Sequence, residues 1–179
     1  GLYPEGSVED EFEKEKASDA ILEALVTEEK RREREVLRAL HDFEVWSEIL
    51  AKVEGCGAMI GARIIASVMD IRRFASKAKL KAYCGVHVLR DGRFPRRRGG
   101  EVANWNPTAR QALYLLAEQF NRRPCSEWGV KLREYKAKLR AKHPEPVTEN
   151  GKKRYGNGHI HKMALWRTVT KFVEWLYRE

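Results

Sequence analysis

At 179 residues, with 35 Lys or Arg against 26 Asp or Glu and a net charge of +9, the chain has room for one good core and an appendage, not for two large domains. No apolar run approaches the roughly 20 residues needed to cross a bilayer, and the N-terminus lacks a signal-peptide pattern, so no membrane role is expected. Cys56, Cys84 and Cys125 are odd in number and far apart; without CxxC pairing or zinc spacing they predict small buried thiols in a reducing, cytoplasmic setting.

The charge is unevenly spread. Residues 1–52 hold 8 Lys or Arg against 15 Asp or Glu and balance at −7, whereas residues 53–179 hold 27 against 11 and balance at +16. This divides the chain into an acidic helical arm, 1–52, and a basic domain, 53–179, and predicts a nucleic-acid partner for the domain. A charge-rich, heat-adapted surface is the plainer alternative.

From Val8 to Lys52 the chain has no Pro or Gly and is rich in helix formers. Ser7 stands where an N-cap belongs, with acidic residues in the first turns where the helix dipole favours them. Apolar residues cluster at Ile21, Leu22, Leu25 and Val26 and again from Val36 to Leu50, with TEEKRRERE between them. So broken a stripe predicts one or two helices that pack partly on a neighbour, and through them a homodimer.

The segment VEGCGAMIGARIIASVMDIRRF, residues 53–74, has the pattern of a helix-hairpin-helix: glycines at 55 and 57, then a helix over Ala58 to Val68. The backbone amides of Gly55, Cys56, Gly57 and Ala58 are candidates to receive a DNA phosphate at the second helix's N-terminus without reading sequence. Ser76 caps a short helix over KAKLKAYCG. Next, GVHVLRDGRFPRRRGG alternates Val86 and Val88 with His87 and Leu89 around Asp91-Gly92, which predicts a small basic β-hairpin. Arg90, Arg93, Arg96, Arg97 and Arg98 along it suit phosphates, because a guanidinium holds two oxygens at once.

Asn106 and Pro107 open a helix running to Phe120, in which Trp105, Leu113, Leu116 and Phe120 read as core. SEWGVKLREYKAKLRAK is a basic helix whose polar side carries Lys131, Arg133, Lys136, Lys138, Arg140 and Lys142, with Lys136 and Arg140 taken as DNA contacts. HPEPVTENGKKRYGNGH reads as a loop, basic at Lys152, Lys153 and Arg154. His159 and His161 form the one close histidine pair, with no Cys or carboxylate beside them, and no metal site is predicted there. The last helix, from Ile160, is strongly apolar and closes the core. The fold class expected is mainly α, a helix-hairpin-helix domain with one small basic hairpin and a long N-terminal helical arm.

Taken in order, VEGCGAMIGARIIASVMDIRRFASKAKLKAYCGV resembles the start of the C-terminal domain of insertion-sequence transposases of the IS110/IS116/IS902 class. Gly55 and Gly57 stand at that family's hairpin, Asp70, Arg73 and Phe74 at its acidic residue and arginine-phenylalanine step, and Tyr83 and Gly85 at its tyrosine-x-glycine. The likeness continues through the basic stretch, through Asn106, Arg110 and Leu113, and into HIHKMALWRTVTKF, which is similar to the last helix of archaeal members. It covers roughly residues 50–179.

The resemblance implies transposition and DNA recombination. In that family an N-terminal nuclease-like fold carries four acidic metal ligands, the C-terminal domain supplies a serine nucleophile, and guide RNA directs the full enzyme to DNA. The sequence departs from this pattern. Residues before 53 show no alternating strands, Asp91-Gly92 falls where the serine-glycine step belongs, and no serine occurs from Lys77 to Cys125. An aspartyl phosphate is a labile anhydride, and a carboxylate repels the DNA backbone, so Asp91 is no substitute nucleophile. Glu54 replaces the hairpin proline and adds negative charge near the phosphate site.

The expectation is a transposase-related, nucleoid-associated DNA-binding domain, catalytically inactive alone and needing no cofactor. One alternative is an active recombinase using Mg with carboxylates such as Asp70 or Asp91. The other is an RNA holder with the arm as a protein-interaction element.

Overall fold

A computed structural model describes residues 6–96, 99–149 and 152–179, and the described chain is mainly helical. The arm consists of α1 (Ser7–Ser18) and α2 (Ala20–Leu40). Asp19 breaks the run: its Oδ1 accepts from the amides of Ile21 and Leu22 at 2.9 and 3.0 Å and so starts a second helix. Ser7 is the first helical residue rather than the cap, a position held by Gly6 at φ 87°. Helical periodicity ends at Leu40, and a π-helical turn (Val45–Ile49) and a 3-10 turn (Leu50–Lys52) lead into the body. Leu40, Trp46 and Leu50 already belong to the common core, although they lie on the arm's side of the boundary drawn from charge.

The body is built from α3 (Ala58–Val68), α4 (Lys77–Tyr83), α5 (Pro107–Arg122), α6 (Glu127–Lys142) and α7 (Asn157–Leu176). The predicted starts reflect local capping. Ser76 accepts from the amide of Lys79 at 3.4 Å, Asn106 from that of Ala109 at 2.9 Å, and Ser126 from that of Gly129 at 3.1 Å. Each satisfies an amide that has no carbonyl one turn back. α3 lies on α5 and α2, and α7 is flanked by α4, α5 and α6. Where α5, α6 and α7 meet, the rings of Phe120, Trp128, Phe172 and Trp175 pack with centroids 5.2 to 5.8 Å apart. Leu113, Leu116 and Phe120 are core as the periodicity predicts; Trp105 is only half-buried. Gly61 lets α3 rest on Trp46, since a Cβ there would lie 2.4 Å from the indole.

The β-hairpin predicted around Asp91-Gly92 does not form. Leu89 N–H donates to the Arg93 carbonyl and Gly92 N–H to that of Leu89, closing a tight turn without a ladder. Its flanks are committed elsewhere. Val86 N–H donates to Lys81 O, Val86 O accepts from Thr170 at 2.6 Å, and Pro95 has no N–H to give. Among the described residues a basic ribbon lies instead in the segment read as a loop, where β1 (Val147–Glu149) pairs antiparallel with β2 (Lys152–Arg154), Val147 opposite Arg154. Among the described residues no helix is long and apolar enough to cross a membrane.

Candidate nucleic-acid interface

The hairpin before α3 turns on Gly55, at φ 94°, and opens the helix at Gly57. The two glycines do different work. A Cβ on Gly55 would lie 2.9 Å from Gln119 Cβ, so this residue seats the hairpin against α5, whereas a Cβ on Gly57 meets nothing within 4 Å. The amides of Ile60 and Gly61 both donate to Gly57 O. Those of Ala58 and Met59 lie ahead of the first amide that reaches a helical carbonyl, and no side chain caps the turn. Cys56 is turned inward: its amide donates to Val53 O, and burial pushes its thiol up to about 12. Arg123, which sequence reasoning missed, stands at the hairpin, with Nη1 3.5 Å from where a Gly55 Cβ would be.

The arginine-bearing segment forms an exposed loop with a pinned base. Arg90, Arg93 and Arg96 are exposed, and Arg97 and Arg98 lie outside the described residues. Asp91 Oδ1 accepts from the amide of Arg93 at 3.0 Å, and Gly92 takes φ 76°. Asp91 is thus a turn former. Beneath the loop, Arg110 donates from Nη1 to Gly85 O at 2.8 Å and from Nη2 to Pro95 O at 2.7 Å, tying its two limbs together. Its guanidinium lies between Trp105 and Trp166, 4.7 and 4.6 Å from the ring centroids. Phe94 reaches the same Trp166 at 6.2 Å.

Residues 47–129 match the model of the Transposase IS116/IS110/IS902 family. That segment is a transposase domain of this class. The match spans the hairpin, the arginine loop, the Arg110 clamp and the start of α6. Searches of curated proteins and of solved structures gave no match.

Within the transposase domain, the residues that carried the resemblance are largely scaffold. Asp70 Oδ1 accepts from the amide of Arg72 at 2.9 Å and starts a 3-10 turn. Arg73 lies over the rings of Phe74 and Tyr83, at 4.7 and 4.8 Å. The Tyr83 hydroxyl donates to Ser67 O at 2.8 Å and accepts from Asn106 Nδ2 at 2.7 Å. Gly85 is a glycine because its φ is 66° and a Cβ would lie 2.6 Å from Trp105 Cγ. Among the described residues no three of His, Cys, Asp or Glu converge as a metal cluster.

Beyond the matched segment, the basic residues divide. Lys136 is half-buried on α6, and burial together with neighbouring Arg133 pulls its ammonium below the usual lysine range. Arg140 is engaged within the protein, donating to the carbonyls of His143 and Tyr155 at 3.1 and 3.0 Å and to Asn157 Oδ1 at 2.7 Å. It fastens the ribbon's base to the ends of α6 and α7. There Tyr155, at φ 57°, is stacked between His143 and His159, with centroids 3.8 and 5.5 Å away. Lys152, Lys153 and Arg154 form β2. Cys84 is buried, its thiol raised to about 12 by burial, while Cys125 is exposed, against the expectation of three buried thiols.

Proposed function

We propose that the chain is a sequence-tolerant DNA-binding module of a transposase, without strand-cleaving activity of its own. The observation that carries this reading is the arginine loop, whose exposed guanidiniums project from a base fixed by Arg110 within a transposase domain. Exposed, loop-borne arginines can neutralise phosphates at little cost, Arg93 exchanging only a 3.7 Å contact with Asp91. The open start of α3, with Arg123 beside it, offers a second phosphate position through the amides of Ala58 and Met59. Asp91 shapes an exposed turn through its bond to the Arg93 amide, and the Tyr83 hydroxyl is bonded on both sides within the scaffold, which supports an inactive module. The arm exposes Phe12, Ile21 and Leu25 at 62, 75 and 63%, an apolar set suited to a second copy of the chain.

The test is a duplex-DNA titration at several salt concentrations, with an Arg96→Ala, Arg97→Ala, Arg98→Ala triple variant alongside. Affinity falls with salt on a slope worth several phosphates, and the variant lowers that slope by up to about 3. A protein that ignores duplex DNA even at low salt overturns the proposal, and preference for structured RNA over duplex moves it to an RNA module. Metal-dependent nicking would overturn the inactive assignment.

A further inference from the structure

Under the arginine loop lies a cleft of about 930 Å³ lined by Arg96, Trp105, Arg110, Gln111, Tyr114 and Trp166. Its composition differs from that of a phosphate grip. Three aromatic rings make its walls: Tyr114 and Trp166 meet at 5.8 Å between centroids, and Trp105 stands across Arg110 from Trp166. Arg110 belongs to the wall, since its two terminal nitrogens are held by Gly85 O and Pro95 O. Arg96 is an exposed cation of the lining, and Gln111, exposed on α5, brings an amide NH2 donor and a carbonyl acceptor. Glu101 lines the same opening.

The geometry points to a pocket for one unpaired nucleobase, its flat ring against the indole and phenol rings, its edge to Gln111 and its phosphate at Arg96. The inference rests on the DNA-binding reading above and adds to it. A base suits this site because any base has a π-face for aromatic walls, and because a base outside the helical stack exposes edges that a polar amide can meet. A plain hydrocarbon ligand would leave Arg96 and Gln111 without purpose, and a bare phosphate would leave the three rings so. The size lies within the range of pockets that enclose small ligands. In the sequence Trp105 reads as core; only its position beside Arg110 makes it a wall.

The experiment compares three labelled duplexes at one salt concentration: fully paired, with one bulged thymine, and with an abasic bulge at the same place. The expected result is that the thymine bulge binds about 5- to 50-fold tighter than the other two. Gln111→Ala reduces that preference while leaving the salt slope of the paired duplex unchanged, and Trp105→Ala, separately, reduces the preference. Gln111 is exposed, so its variant keeps the test open should the tryptophan variant fail to fold. Equal binding of thymine and abasic bulges overturns the pocket, because flexibility alone then explains any preference. Salt-dependent binding with no bulge preference overturns the pocket and leaves the phosphate grip standing. Absence of binding to all three duplexes overturns both.

Discussion

Replacing Gly57 by alanine distinguishes a phosphate site from a mere helix start. Gly57 has φ −69° and ψ 165°, extended backbone that alanine adopts freely, and a Cβ there meets no atom within 4 Å. The stability change is that of alanine for glycine at an N-cap, below about 1 kcal/mol, or a Tm shift of about 2–4 °C in a chain of this size. Gly55→Ala is the control for structure. Its φ of 94° costs an L-residue about 1–2 kcal/mol. The 2.9 Å approach to Gln119 Cβ, fixed by its helix, adds about 1–3 kcal/mol.

For binding, the order reverses in meaning. A phosphate on the amides of Ala58 and Met59 must come within about 3 Å of them, where the new methyl intrudes. Losing a charge-assisted hydrogen bond is worth about 1.5–3 kcal/mol, a drop in duplex affinity of about 10- to 150-fold, with a salt slope smaller by about 0.9. The assay pairs thermal melting followed by circular dichroism with fluorescence anisotropy on a short labelled duplex across a salt series. If Gly57→Ala melts like the parent and also binds like it, with the slope unchanged, the start of α3 holds no phosphate. The grip then rests on the arginine loop alone.

Other expectations concern stability and assembly. Burial pushes the Glu174 carboxyl up, but hydrogen bonds from Lys171 and Lys81, at 2.7 and 2.6 Å, outweigh it and bring it down from 4.5 to about 2. Because its folded pKa is depressed, the stability it contributes is complete above pH 4.5 and lost as pH falls toward 2. Glu174→Gln should therefore lower urea stability by about 1–2 kcal/mol at pH 7, after allowing for solvent screening, and the gap should close at low pH. His87, His159 and His161 are all held below the ordinary 6.5, chiefly by burial. The neutral forms suit the fold, so stability complete above pH 6.5 should decline as pH falls below it, read from melting temperatures across a pH series. Leu25→Gln with Ile21→Gln, both exposed on α2, should leave the melting temperature nearly unchanged and shift sedimentation from dimer to monomer. A parent that is already monomeric refutes the arm's role.

The helices were legible because their signals are local. Asn106 with Pro107, Ser126 and Ser76 each satisfy amides within three residues of themselves, and α3 follows its run of small and branched residues from Ala58 to Val68. A cap or a helical period is written in neighbouring residues, so no distant segment can alter it greatly. The order of weak motifs through residues 53–113 pointed to the transposase class for a related reason: it marks turns, caps and close approaches that this scaffold requires.

The site's finer structure was not legible in that way. Asp91-Gly92 carried a strong turn signal, yet beyond the single Leu89–Arg93 bond the limbs on either side are tied to α4, α7 and Arg110. Arg140 sits among the cations of a basic helix in sequence, but three segments converge on its guanidinium. Trp105 has the hydrophobicity of a core residue and lines a cleft, because Gly85 and Arg110 meet it from elsewhere in the chain. By itself the sequence determined which segments of the body are helical, where the side-chain-capped helices α4, α5 and α6 start and where the positive charge lies. The tertiary structure alone decided which cations stay exposed and which rings border open space, since both depend on where separate helices bring their side chains together.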